Sequence, residues 1–447
     1  MRLTAALGTP LALGELGWMS TYIIDAIMIG RLPHAALSIS ASSLGNTIYY
    51  ALVFCAIRML TGVRTLVAQA HGQHNPHESR KLLAQALWFV ALGTPAVMLA
   101  TLGTIPLLSL FGIDPAIIRE TSHYLHALIW STAPLLLYMA LRFYLQSINK
   151  VLLVSASLIT ATLVNWLFDY LFLYKYPMGI AGSGWATTVV RLYMLVLVAT
   201  GFYLHERKLS LALLKPDPTR LRALARIGIP DALANITDLG FSTYMSIACA
   251  RLGATLLAAH QVVLDLDAFV YMIPLGLSYA TVVRVGQSAG IDNLPAVRRS
   301  AQASLILGLS CIVLAGALFA GLPNLWASVY TNDPAVITAA IPLFLLCAFI
   351  QFGDAAEVLY SSALTGLGDT RTPFLANTLL FWGLGAPLSW FLAFHTSLSL
   401  QGLWLGRTGA ALTTALVMAI AWHRRVRKAQ TARPSERLKL LQPLATI

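Results

Sequence analysis

The chain has 447 residues, of which 57% are hydrophobic and only 11% charged, with a mean hydropathy of +0.72. Soluble domains carry about a quarter charged residues, so a soluble enzyme, a disordered protein and a coiled coil are excluded. The charge is also lopsided, 30 Lys+Arg against 18 Asp+Glu for a net +12, and the placement of these few charges carries the functional reading.

Apolar runs of bilayer-spanning length, about 20 residues each, recur along the whole chain. They predict twelve spans at 10–30, 36–60, 83–105, 122–141, 151–173, 183–204, 228–249, 259–283, 301–323, 338–360, 374–395 and 402–423. Helices are required, because an isolated strand cannot satisfy its backbone in lipid, and the alternation of a membrane barrel is missing. The first run contains Glu15 and Asp25 with no basic segment before it, which reads as a permanent span and not a cleaved signal. Cys55, Cys249, Cys311 and Cys347 are widely separated within apolar stretches, giving neither a disulfide framework nor a metal knuckle. His71, His74 and His77 share a stretch with Gly72, Asn75 and Pro76, which reads as a solvated loop and not a metal site.

The basic residues set the expected orientation. One set of loops, with both termini, holds 23 of the 30. It includes Arg64, Arg142, six in the 205–227 segment (among them Arg207, Lys208 and Arg220) and seven after 423. The opposite loops hold Arg31, Arg119, Lys175 and Arg251, while Arg58, Arg191 and Arg407 fall inside spans. Such a bias places both termini in the cytoplasm, which needs an even span count. The expected location is the plasma membrane, as a multi-pass protein of the bacterial inner membrane. The basic tail is then a topology signal, and no nucleic-acid partner is expected.

The chain also repeats itself. Gly8-Thr9-Pro10 and Gly228-Ile229-Pro230 stand 220 residues apart, as do Arg31-Leu32 and Arg251-Leu252. Asp114-Pro115-Ala116 and Asp333-Pro334-Ala335 are 219 apart, and Gln69-Ala70-His71-Gly72 parallels Gln287-Ser288-Ala289-Gly290 at 218. The predicted organisation is an N-terminal six-helix lobe (1–204), a cytoplasmic linker (205–227), a C-terminal six-helix lobe (228–423) and a basic tail (424–447). Six spans per half make the repeats parallel, related by a pseudo-twofold axis along the membrane normal. The fold class is an all-α integral membrane protein. This organisation suits an alternating-access transporter, with its sites near the midplane.

Nine of the 18 acids fall in or at the edge of a span: Glu15, Asp25, Asp169, Asp231, Asp238, Asp265, Asp267, Asp354 and Glu357. A charge in hydrocarbon costs at least about 2.5 kcal/mol, so these are the candidate functional residues. Asn165 and Asp169 are four apart on one face of span 5. The orientation puts them in the same outer layer as Asp25 and Thr187. Two carboxylates, an amide and a hydroxyl form an oxygen-rich set suited to Na⁺, or to sharing a proton between like charges. The alternative is a hydrogen-bonded cluster that only holds helices together. In the second half, Asp238 lies mid-span, and Asp354 and Glu357 are three apart on one face. Carboxylates there suit an organic cation or a coupling ion. Asp265 and Asp267 point about 200° apart and cannot both face one cavity; they are weaker candidates. Arg191, one turn after Thr187, is expected to pair with Asp169, and Arg407 holds the corresponding place in the second half. No nucleophile–base pair or metal-ligand set has catalytic spacing, so no enzyme activity is expected.

These residues resemble the multidrug and toxic compound extrusion (MATE) transporters, over essentially the full length. The resemblance rests on Thr9-Pro10 with Asp25-Ala26-Ile27-Met28-Ile29-Gly30-Arg31-Leu32, and on Asn165 to Asp169 followed by Gly182-Ser183-Gly184-Trp185-Ala186-Thr187. It continues through Ala258-Ala259-His260-Gln261-Val262, Pro274-Leu275-Gly276, Arg284-Val285-Gly286-Gln287 and the run from Ala363 to Arg371. It implies two lobes forming a V and export of amphipathic organic cations in exchange for Na⁺ or H⁺. It implies no cofactor beyond that ion. Asp25, Asn165, Asp169 and Thr187 match the family's N-lobe cation site. Asp238 and Asp354 match the acids of its NorM-like branch, although Asp238 is shorter than the usual glutamate. Glu15, Asp265 and Asp267 are extra acids. A monomer in contact with membrane lipid is expected. The alternative within the superfamily is a lipid or lipid-linked oligosaccharide flippase, whose anionic substrate would call for a cationic cavity.

Overall fold

The structure, a computed structural model, describes residues 1–32, 35–176, 178–206 and 211–442. Arg207 and Lys208 of the linker and the last five residues of the tail lie outside the described residues. Seventeen α-helices follow one another, with no strand among the described residues. They are α1 (Arg2–Ile29), α2 (Ala35–Met59), α3 (Thr61–Gly72), α4 (Pro76–Thr104), α5 (Pro115–Leu128), α6 (Thr132–Ser147), α7 (Val151–Asp169) and α8 (Ile180–Glu206). The second half holds α9 (Pro218–Leu252), α10 (Ala254–Gly290), α11 (Leu294–Gly321), α12 (Pro323–Tyr330), α13 (Pro334–Gly366), α14 (Arg371–Asn377), α15 (Ala386–Phe394), α16 (Ser399–Thr431) and α17 (Pro434–Leu441).

Ten continuous helical stretches among the described residues are long and apolar enough to cross a membrane. Three of them join two helices: α2 with α3, α5 with α6 through a 3₁₀ turn, and α14 with α15 through a π turn. The remaining long helices, α1 and α9, have 28 and 35 residues. At about 1.5 Å per residue both exceed a bilayer's hydrocarbon core, and their Glu15, Asp25, Asp231 and Asp238 make them less apolar. Together these are the twelve spans that the sequence predicts.

Short-range signals punctuate the two halves in the same way. Asp114 caps α5 by accepting from the Ala116 amide at 2.8 Å, and Asp333 caps α13 by accepting from Ala335 at 2.9 Å. Asn75 caps α4 and Asn293 caps α11, each accepting an amide three residues on at 3.0 Å. Such side-chain oxygens satisfy donors that a helix start leaves unpaired. The turns also correspond: His74 (φ 55°) with Asp292 (φ 52°), and Asn149 (φ 63°) with Gly368 (φ 79°). A π turn ends the fifth span of the first half at Tyr170–Lys175, and another interrupts the fifth span of the second half at Thr378–Gly385.

The helices run on past their apolar windows, which corrects the loop placement of two arginines. Arg64 is buried in α3, its guanidinium 4.2 Å from the Phe143 ring centroid. Arg142 is buried in α6 and pairs with Glu15 of α1. Each is tolerated because it has an aromatic or a carboxylate partner.

The chain divides into two compact units: residues 13–232, and residues 233–447 together with 1–12. The first helix of each half therefore begins in the other unit. Within its own unit, Gly276 of α10 accepts the α1 backbone at Ala12 so closely that a Cβ would collide with it. In the other unit Gly228 of α9 lies against the Met59 carbonyl in the same manner. Only glycine permits backbones to approach this near.

The linker and the tail are each folded down by polar contacts. In the first unit Gln85 accepts from the Asp217 amide at 2.8 Å and donates to the Lys215 carbonyl at 2.9 Å, and Arg220 pairs with Glu78 at 2.7 Å. In the second, α17 brings Arg437 to Asp292 at 2.7 Å, Gln442 donates to the Ala289 carbonyl at 2.6 Å, and Arg425 pairs with Asp369 at 2.6 Å.

Candidate functional site

Each unit holds a polar cleft, and helical periodicity builds both. In the first, α1 contributes Trp18, Thr21, Tyr22 and Asp25, spaced i, i+3, i+4 and i+7, the spacing of one helix face. Tyr50 of α2, Leu158, Ala161 and Asn165 of α7 and Thr187, Val190, Arg191 and Met194 of α8 complete a cleft of about 40 Å³. In the second, α9 contributes Asp238, Phe241, Ser242 and Met245, each 220 residues after its counterpart on α1. The repeat thus lines both clefts from the same four face positions and changes the chemistry: Asp25 becomes Met245, and Trp18 becomes Asp238. The acid of the first half accordingly sits seven residues further along its helix, about 10 Å at 1.5 Å per residue.

In the first cleft the amide nitrogen of Asn165 donates to both carboxylates, to Asp25 Oδ1 and at 2.6 Å to Asp169 Oδ2. The sequence offers Asn165 as an oxygen ligand; here its NH₂ bridges the acids. Asp169 and Asn165 are fully buried, and Asp169 Oδ1 has no hydrogen-bond partner. Thr187 lines the same cleft. The expected Arg191–Asp169 pair is not formed. Arg191 instead donates to Tyr49 Oη at 2.7 Å, to Tyr50 Oη at 3.1 Å and to Ser131 Oγ, with its guanidinium 5.1 Å from the Tyr49 ring centroid. A π-faced hydroxyl cage stabilises a buried guanidinium without neutralising an acid. Neither Asp25 nor Asp169 has an ion-pair partner among the described residues.

The second cleft encloses about 290 Å³, lined by Asp238, Asp267, Asp354 and Glu357 with His260, Tyr271, Asn377, Trp404 and Arg407 among others. Arg407 Nη2 lies 2.8 Å from Asp354 Oδ2 and 3.6 Å from Asp267 Oδ2. Asn377 donates to Glu357 at 3.3 Å. Trp404 Nε1 donates to His260 Nδ1 at 3.2 Å, which makes Nε2 the protonated nitrogen, and that buried Nε2 has no partner. Arg407 Nη1 is likewise buried and without a partner.

The two acids of α10 separate as the 200° geometry requires. Asp267 enters the cleft, accepting from the Cys347 thiol at 3.4 Å, whereas Asp265 accepts from Gln261 at 2.8 Å and lies outside the lining. Of the other acids in the spans, Glu15 pairs with Arg142, and Asp231 accepts from Thr61 at 2.7 Å with Arg58 at 3.7 Å. Sequence reasoning gave His260 only within a stretch of the family resemblance, with no role, and did not single out Tyr271. Both follow the period of Asp267, because His260, Leu264, Asp267 and Tyr271 stand at i, i+4, i+7 and i+11 on the cleft face of α10. Tyr49, Tyr50 and Ser131 carried no such signal, since their link to Arg191 spans 60 to 142 residues of chain.

Twelve helical spans among the described residues, in two matching halves that each hold a polar cleft, have the architecture of a multi-pass membrane transporter. Comparison with known proteins assigns it further. The MatE family model matches residues 10–171 and 230–391, two stretches 220 residues apart at both ends. The chain belongs to the MatE family. It is 29% identical over 435 residues to the probable multidrug resistance protein NorM of Xylella fastidiosa, covering 95% of this chain and 92% of that protein. It is 30% identical over 443 residues to the probable multidrug resistance protein NorM of Rhodopseudomonas palustris, covering 96% and 93%. Among solved structures, a MATE in the straight conformation superimposes with a TM-score of 0.89 at 15% identity, covering 96% of this chain and 97% of that one. An outward-facing multidrug resistance MATE family transporter of the MOP superfamily gives 0.89 at 14%, covering 96% of each chain.

Proposed function

We propose that this protein is a secondary multidrug antiporter that exports amphipathic organic cations by alternating access in exchange for Na⁺ or H⁺. One observation carries the coupling: Asp25 and Asp169 share the Asn165 amide, one of them wholly buried, with no basic side chain among the described residues ion-paired to either. Two unpaired carboxylates at membrane depth call for a compensating cation. A proton shared between them supplies it, or a Na⁺ ion held by carboxylate oxygens, with the unpartnered Asp169 Oδ1 and the Thr187 hydroxyl as further ligands.

The larger second cleft is suited to substrate. Its lining sets four carboxylates, Asp238, Asp267, Asp354 and Glu357, against the single arginine Arg407, within walls of Phe241, Phe381, Tyr271 and Trp404. Aromatic faces with a carboxylate are the chemistry that recognises an organic cation. This acidic, aromatic lining also favours a cation exporter over a flippase of anionic lipid-linked sugars. The two halves, 1–204 and 228–423 with the linker between them, act as the two lobes. The protein works as a monomer in the bacterial inner membrane with both termini in the cytoplasm.

The test is ethidium efflux from proteoliposomes under an imposed Na⁺ gradient, an imposed H⁺ gradient, or none. Efflux driven by one gradient and abolished by dissipating it is expected. Equal rates in all three conditions would overturn the antiport reading.

A further inference from the structure

In the unit that holds residues 233–447, a cleft of about 720 Å³ opens between the first turns of α11 and the last turns of α16. It shares no lining residue with the acidic cleft; on α16 its Trp422 stands fifteen residues beyond Arg407, while on α13 its Tyr360 is one turn beyond Glu357. Arg298, Arg427 and His423 give it three cationic or protonatable groups, and no acid lines it.

Three other arginines of the unit are compensated. Arg407, Arg425 and Arg437 each pair with an aspartate. Arg298 and Arg427 are exposed and make no ion pair among the described residues. Beside them the cleft turns apolar, with Trp422 as a buried floor and Leu305 and Ile306 along one wall. The apolar path continues down α11: Val313, seven residues after Ile306, is 59% exposed and Ile306 51%, and seven residues return to the same helix face.

Uncompensated arginines at the mouth of a groove that becomes aliphatic match an amphiphile with an anionic head. Basic pockets between membrane helices near the cytoplasmic surface hold such headgroups. We infer that this cleft binds an anionic phospholipid, its phosphodiester between Arg298 and Arg427 and an acyl chain along the Ile306–Val313 face of α11. A free phosphate would use the arginines but leave the apolar wall open to water, so the groove selects the lipid.

The test is native mass spectrometry of the full-length protein released from an equimolar phosphatidylglycerol and phosphatidylcholine mixture. Phosphatidylglycerol should be retained in preference. Arg298→Gln with Arg427→Gln should lower that retention by roughly 30-fold, from two lost headgroup contacts. A second pair, Arg424→Gln with Lys428→Gln, removes the same charge outside the cleft and should retain the lipid. Thermal melting of both variants checks that they fold, and both positions in each pair are exposed. Equal loss in the two variants, or no loss in the first, overturns the proposal. So does displacement of the lipid by millimolar inorganic phosphate, which would make the site a free-anion site.

Discussion

Arg407 Nη2 lies 2.8 Å from Asp354 Oδ2, within a cleft that also carries Asp238 and Glu357. The protein therefore places one of its own cations where a substrate cation would be attracted. Removing it should expose that competition. Arg407→Gln leaves Asp354 and Asp267 without their counter-charge, which for a buried pair costs about 3–5 kcal/mol. An added cation can return part of this loss. In melting curves of the purified protein, Arg407→Gln should start from a lower Tm and gain more from ethidium than the parent does. An equal or smaller gain would show that Arg407 and the ligand do not compete.

For the first cleft, Asp25→Asn and Asp169→Asn should each abolish gradient-driven efflux while the protein still inserts and melts cooperatively. Neutral asparagine keeps the size and can accept the Asn165 N–H, so the helices remain linked. Cells expressing either variant should lose drug resistance. Full resistance with normal expression would remove this pair from the coupling step.

Asp238→Ala and Glu357→Ala should weaken binding of a monocationic substrate by about tenfold each, the scale of a charge-assisted contact. Binding of an uncharged amphiphile of similar size should hardly change. Fluorescence anisotropy of the two ligand types separates charge recognition from apolar burial.

The Glu15–Arg142 pair belongs to a different category. Both side chains are buried, and neither lines a cleft among those described. Glu15→Gln should lower stability by about 3–5 kcal/mol, because it leaves Arg142 charged and uncompensated. The double variant Glu15→Leu with Arg142→Leu should recover most of the loss. A double-mutant cycle on thermal unfolding gives the coupling, and additive losses would deny the pairing any energetic weight.

The helical period made much of this visible before any coordinates. Asn165 with Asp169, Asp354 with Glu357, and the divergence of Asp265 from Asp267 all follow from 100° per residue. The period does not supply partners. Arg142 falls one residue beyond an apolar window and so reads as a loop charge, although it is 127 residues from the carboxylate that neutralises it. Arg191 reads as facing Asp169 when only its own helix and one other are considered. Tyr49 and Tyr50, which hold it, stand on α2, and no spacing rule links them. The register between α1 and α9 was legible in the repeat, but their different cleft chemistry at equal positions needed the lining itself.

The exchange of first helices has a practical consequence for anyone dividing this chain. A cut in the linker, the obvious place by sequence, yields two fragments that each lack a piece of their own unit. The 13–204 portion would be left with an empty seat at Met59 and Gly62, which residues 218–232 fill. The 233–447 portion would lose residues 1–12 from beside Gly276 and Leu277. The halves therefore make interdependent chains and not separable modules. Co-expressed pieces broken at the linker should recover transport only together, each acting as the other's missing first turns, and neither should melt cooperatively when purified alone.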